Sequence, residues 1–240
     1  MKKLSSFRIA SLLALHALTS GCGDGVPRAL DIQFQEVWRI GGGSLDDANE
    51  DSLGGFGIIR ALESDADGNL YVLDASFERI QKFSAAGEEI RKVTLALGEG
   101  PGEVQSLNGL AVAGDGRMFV LSGQSRTVSV FDQAGRFESE FKTGFRPIQV
   151  DVRGNHVLVA SLWLSPDSIL HAFDMSGVKI RSLLPRPENW EEVFASGNFG
   201  RFVSREDGRI LFSYPLPYRI VEIDAEGRQL ARKTSARSRR

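Results

Sequence analysis

The chain has 240 residues, 42% of them hydrophobic and 25% charged, with a formal charge of −2. This composition excludes disordered and fibrous classes, and the near-zero charge supplies no global field for nucleic acid. A single cysteine excludes an intramolecular disulfide framework and any multi-thiolate metal site, and three histidines leave little material for a histidine-rich metal centre.

The first element is an export signal. Lys2, Lys3 and Arg8 form a basic start with no acid before Asp24, and an apolar stretch follows from Ile9 to Leu18. About ten apolar residues span about 15 Å as helix, half a bilayer core, so a retained transmembrane helix is not expected. Thr19, Ser20 and Gly21 then lead to Cys22, the only cysteine. Leu18-Thr19-Ser20-Gly21-Cys22 resembles a bacterial lipobox, with Thr19 where leucine is commonest. The resemblance implies cleavage before Cys22, lipid attachment to its sulfur and a place in the bacterial cell envelope, on the periplasmic or outer-surface side. The alternative is ordinary secretion with cleavage nearby and a free thiol. Residues 1–21 are thus the expected signal peptide and residues 22–30 a linker.

Asp47-Ala48-Asn49-Glu50-Asp51 is an oxygen-rich run like the start of a calcium loop. The pattern then fails, because Ser52 holds the glycine position and Ile58 the final glutamate position, so a solvated loop is expected.

The body, residues 31–233, repeats itself. Asp67-Gly68 precedes the apolar run Leu70 to Leu73, and Ala86-Gly87 follows the run Arg79 to Phe83. The same order recurs around Gly116 and Gly135, Gly154 and Gly177, and Gly208 and Gly227. Steps between first glycines are 48, 38 and 54 residues. A period of about 40–50 residues holding several short strands is the signature of a β-propeller blade. Asp-Gly before an apolar run is a tight-turn signal, since glycine supplies φ > 0. A continuous run such as Leu70-Tyr71-Val72-Leu73 suits a strand buried between neighbouring sheets. Ile58-Ile59, Leu110 to Val112, Ile148 to Val150 and Phe202-Val203 are the expected innermost strands. No helix-period segment of any length interrupts the pattern.

Leu97-Gly98-Glu99-Gly100-Pro101-Gly102-Glu103, with Gly109 to Val112 and Asp115-Gly116-Arg117-Met118-Phe119-Val120, resembles the NHL-type repeat. It is similar to the six-bladed β-propeller domains of bacterial envelope lipoproteins, and Trp38-Arg39-Ile40-Gly41-Gly42 also fits that group. The resemblance covers about residues 30–233 and specifies fold better than chemistry. The expected architecture is all-β: about four full blades of four strands plus an N-terminal strand from Asp31 to Ile40, an incomplete six-bladed type. Six blades of about 45 residues would need about 270, and 219 residues run from Cys22 to the end.

Propellers bind along the axis or on one rim. Eight residues before each first glycine stand Arg60, Asn108, Arg146 and Gly200, with Arg201 beside the last. Polar residues at one repeat offset form a partial ring at a channel mouth, where arginine forks onto carboxylate or phosphate. Asp74, Arg79, Asp132, Asp174 and Asp224 recur between units, which argues for structure over catalysis. His156 and His171 lack companions at zinc-ligand spacing. Residues 161–168 and 185–200 lengthen the third and fourth units. Trp163, Trp190, Phe194 and Phe199 read as inter-blade core, although Trp190 in an exposed loop would be a partner anchor.

The first functional reading is a membrane-anchored binding or protein-interaction module, with an unknown protein or a small anionic ligand as partner and no nucleic acid or cofactor. The alternative is a propeller enzyme of lyase or lactonase type, with Asp151 and Arg60 as its inward candidates. Residues 234–240 are an expected basic, disordered tail.

Overall fold

The structure is a computed structural model that describes residues 35–40, 55–161, 168–196, 199–215 and 217–234. Two contiguous units divide the chain, Met1–Val37 and Trp38–Arg240. In the first, residues 35–37 are described and carry no regular secondary structure. All the sheets belong to the second.

Sixteen described strands form four antiparallel sheets of four, each built from consecutive strands. The first holds β1 (Ile59–Ser64), β2 (Leu70–Asp74), β3 (Arg79–Phe83) and β4 (Glu89–Thr94). The second holds β5 (Leu107–Val112), β6 (Met118–Ser122), β7 (Thr127–Phe131) and β8 (Phe137–Lys142). The third holds β9 (Pro147–Arg153), β10 (His156–Ser161), β11 (Ser168–Asp174) and β12 (Lys179–Pro185). The fourth holds β13 (Arg201–Ser204), β14 (Ile210–Pro215), β15 (Tyr218–Ile223) and β16 (Gln229–Thr234). The first strand of each sheet lies beside that of the next, so the inner strands run β1, β5, β9, β13. Each sheet is therefore one blade.

The turns explain why four similar units form. Between the third and fourth strands of three blades, a carboxylate at the end of the third strand caps the turn into the fourth. Asp132 accepts the N–H groups of Ala134 and Arg136 at 2.8 and 2.9 Å, and Asp174 those of Ser176 and Val178, both at 2.9 Å. Asp224 does the same for Glu226 and Arg228, and the Ser84 hydroxyl replaces the carboxylate in the first blade. The recurrence of these aspartates is thus a turn device.

The core lies between blades. Tyr71, Leu73 and Ile80 of the first meet Leu110, Met118 and Val120 of the second. Phe119, Leu121 and Val128 of the second meet Val150, Val157 and Val159 of the third. Leu158, Leu170 and Leu183 of the third meet Phe202, Phe212 and Ile223 of the fourth. The central strands are buried at nearly every position because both faces are covered. By contrast, β4 and β8 are exposed except at Val93 and Phe141.

Those two residues mark the blade contacts. A Cβ on Gly135 would meet Val93, one on Gly177 would meet Phe141, and one on Gly227 would meet Leu183. Trp38 takes the equivalent place over Gly87, and its indole N–H donates to the Ala85 carbonyl at 2.9 Å. Of the expected extra strand, residues 31–34 lie outside the described residues and residues 35–40 carry no regular secondary structure. Trp38 nonetheless fills the position of an outer-strand side chain against the first blade.

One expectation is corrected. A short helix, α1 (Trp190–Ala195), interrupts the strand pattern within the lengthened segment before β13. Six residues are too few for a 3.6-residue period to stand out in the sequence. Val193 is fully buried and Trp190 packs against the core between the third and fourth blades. The signal peptide, Cys22, the calcium-like run 47–51, Trp163 and residues 235–240 lie outside the described residues.

Candidate functional site

Arg60 stands near the start of β1, Asn108 near the start of β5, Arg146 just before β9 and Arg201 at the start of β13. The inner strands point the same way around the arc, so their starts share one rim. The four side chains line one cavity of about 480 Å³, together with Ile148, Phe194 and Phe199. The repeat offset therefore brings all four expected residues together.

Among the described residues the lining holds three guanidinium groups and no acid. Arg60, Arg146 and Arg201 are exposed, and none forms an ion pair among the described residues. Asn108 is half-buried and its amide donates to the Pro147 carbonyl at 3.4 Å, which links β5 to the start of β9. In the same lining, Phe194 and Phe199 stand with ring centroids 6.0 Å apart. Phe194 is 40% exposed although its neighbour Val193 is buried. The helix is thus anchored by Val193 and Trp190 and leaves Phe194 at the cavity. The sequence reading missed Phe194 and Phe199 as cavity residues; the surplus length between Pro185 and Gly200 was the available signal.

Trp190 does not serve as an exposed anchor. It is partly buried against the core, and the Arg186 guanidinium lies 4.4 Å from its ring centroid.

Further along the same inner strands the polarity changes. Ser204 on β13 donates to the Asp151 carboxylate on β9. Arg153 donates to the Ser204 hydroxyl at 2.8 Å and lies 3.5 Å from the same carboxylate. Gln149 completes the link, accepting from the Phe202 N–H at 3.1 Å and donating to its carbonyl at 2.7 Å. Asp151 was an inward candidate for catalysis, and its partners here join β9 to β13. Glu63 on β1 is half-buried nearby, and its carboxyl is pushed up to about 7 by burial first and by the Asp151 charge second, with Arg153 opposing.

His171 is packed in the interior. It is 1% exposed, stacks on Phe145 at 4.2 Å and contacts Ser182 and the Ser168 carbonyl. Burial lowers its pKa to about 4. His156 lines a separate cavity of about 180 Å³ between the third and fourth blades, with Arg153 and Arg181. Among the described residues, no three acidic, histidine or cysteine side chains are placed to hold a metal ion.

Glu63 and His171 oppose each other in pH dependence. Native Glu63 keeps its proton up to about 7, whereas the unfolded chain releases it near 4.5, so its contribution to stability falls as pH rises between those values. Native His171 stays neutral down to about 4, whereas the unfolded chain takes up the proton near 6.5, so its contribution is lost as pH falls through that window. Glu63→Gln removes the first effect. Its Tm relative to wild type is expected to be about 2–4 °C higher at pH 8 than at pH 5, corresponding to about 1 kcal/mol after solvent screening. Equal differences at the two pH values would refute this assignment.

No protein-family model matches the chain, and no curated protein matches it. Solved structures do match. Hydrazine synthase of Kuenenia stuttgartiensis aligns over 74% of this chain and 49% of its own, with a TM-score of 0.55 and 18% identity. A catalytically inactive virginiamycin B lyase of Staphylococcus aureus, with quinupristin, aligns over 74% and 55%, with a TM-score of 0.54 and 15% identity. The Cps50 (Swd1) β-propeller domain of Myceliophteria thermophila aligns over 75% and 56%, with a TM-score of 0.53 and 14% identity. The fold is a β-propeller. At these identities the likeness concerns fold and carries no activity. The chain spans about half the length of the propeller structures it matches.

Proposed function

We propose that this chain is a ligand-binding β-propeller module of the bacterial cell envelope, similar to NHL-type repeats, held on a lipid attached to Cys22. Its ligand is an anion taken at the rim of the inner strands. The observation that carries this reading is the convergence of Arg60, Arg146 and Arg201, from three blades, on one cavity whose described lining residues include no acid. Guanidinium groups that line one cavity repel one another, and carboxylate or phosphate groups relieve that repulsion while accepting forked hydrogen bonds. The anchor rests on the lipobox-like Leu18 to Cys22 and on the placement of the only cysteine there. No described helix is long and apolar enough to cross a membrane.

Citrate is a suitable probe, being a compact trianion at neutral pH. Calorimetric titration of the full chain at low ionic strength is expected to show binding that weakens with added salt. The Arg146→Glu, Arg201→Glu double variant is expected to weaken it at least about 30-fold. Citrate affinity unchanged in that variant, or a wild type that binds neither citrate nor an aromatic tricarboxylate, would refute the anion site. For the anchor, palmitate labelling is expected in wild type and lost in Cys22→Ser.

A further inference from the structure

We infer that the arginine cavity selects organic anions that join several acid groups to an apolar or aromatic body, in preference to compact anions of the same charge. This deepens the anion-site reading and rests on it. Three features of the cavity converge on that class of ligand.

The first is size. About 480 Å³ is within the range of small-molecule cavities, and an inorganic anion would occupy only a small part of it. The second is the distribution of charge. Arg60 and Arg201 come from β1 and β13, the two ends of the arc, with β5 and β9 between them. Arg146 enters from between, at the start of β9. Guanidinium groups that approach from separate blades match acid groups spread over a ligand body better than the oxygens of one small ion.

The third is the apolar wall. Ile148, Phe194 and Phe199 line the same cavity as the arginines. Phe194 is 40% exposed on a helix whose adjacent Val193 is fully buried. Its exposure is a consequence of how α1 docks, and the apolar ring stands in water beside three cations. A ligand ring or alkyl body laid on Phe194 removes that surface from water. It also excludes water from the ion pairs, which strengthens them.

The test compares two trianions of similar charge, citrate and benzene-1,3,5-tricarboxylate, by calorimetry on the full chain at fixed ionic strength. The aromatic trianion is expected to bind at least about tenfold tighter. Phe194→Ala, at an exposed position, is expected to bring that ratio within about threefold by weakening the aromatic trianion. Equal affinity of the two in wild type would overturn the selectivity and leave the anion site standing. So would a ratio unchanged in Phe194→Ala. Aromatic binding that survives Arg146→Glu, Arg201→Glu would place that ligand elsewhere and overturn the inference as well. Failure of both trianions to bind would instead overturn the anion site itself.

Discussion

Asp74→Ala is expected to destabilise the propeller by about 3–5 kcal/mol, because it removes one partner of a buried ion pair. Asp74 is 0% exposed and Arg79 is 1% exposed, with 3.8 Å between the charged groups. The Asp74 carboxylate also accepts the N–H groups of Gly57, Ile58 and Ser76 at 3.0, 3.2 and 3.0 Å. It therefore ties the chain entering β1 to the end of β2. Arg79 donates to the Gly55 carbonyl on the same entering segment and lies over the Phe77 ring. Loss of the carboxylate takes the Asp74 charge away from the buried guanidinium and the Asp74 acceptor away from three N–H groups. Thermal unfolding of the full chain should register a fall in Tm of roughly 6–20 °C. Asp74→Ala with Arg79→Met should recover part of it, because the buried charge is then gone. A loss below about 1 kcal/mol would show that water reaches the pair.

Gly177→Ala is expected to cost about 3 kcal/mol or more, and Gly208→Ala about 1–2. Both glycines are left-handed, with φ of 86° and 81°, so both substitutions carry the same backbone penalty. They differ in surroundings. A Cβ on Gly177 would clash with the Phe141 ring in the preceding blade, whereas one on Gly208 would meet nothing within 4 Å. Phe141 is itself buried against Phe173, with centroids 5.3 Å apart, so it has little room to move. Urea melts of the two variants separate the shared strain from the blade contact. Equal losses would mean that the Phe141 ring yields without cost, and the contact would then contribute nothing specific.

These two sites mark how far the sequence was legible. Gly68, Gly116, Gly154 and Gly208 announce tight turns because a left-handed backbone is a local requirement that glycine meets. The apolar runs beside them announce strands covered on both faces. Once the turns are located, counting back a fixed number of residues reaches the same level on each inner strand. That count placed Arg60, Asn108 and Arg146 on one rim, with Arg201 beside the fourth position, Gly200, and the structure gives the four polar residues one cavity.

The rest needed tertiary structure. Phe194 and Phe199 read as core in the sequence, since nothing local says which face of a six-residue helix docks. The docking is decided by Val193 and Trp190 against the third and fourth blades. Asp151 read as a free inward acid, and only the neighbouring strand shows that Ser204 and Arg153 hold it. Glu63 carried no signal at all. Its proton affinity comes from burial and from a carboxylate on a strand nearly ninety residues away. The sequence by itself determined the turns, the strand period and the rim arginines, because each follows from bonds or spacings within a few residues. Tertiary structure alone decided the apolar wall of the cavity and the roles of the buried charges. Those depend on which side chains meet across blades, and no local pattern encodes that meeting.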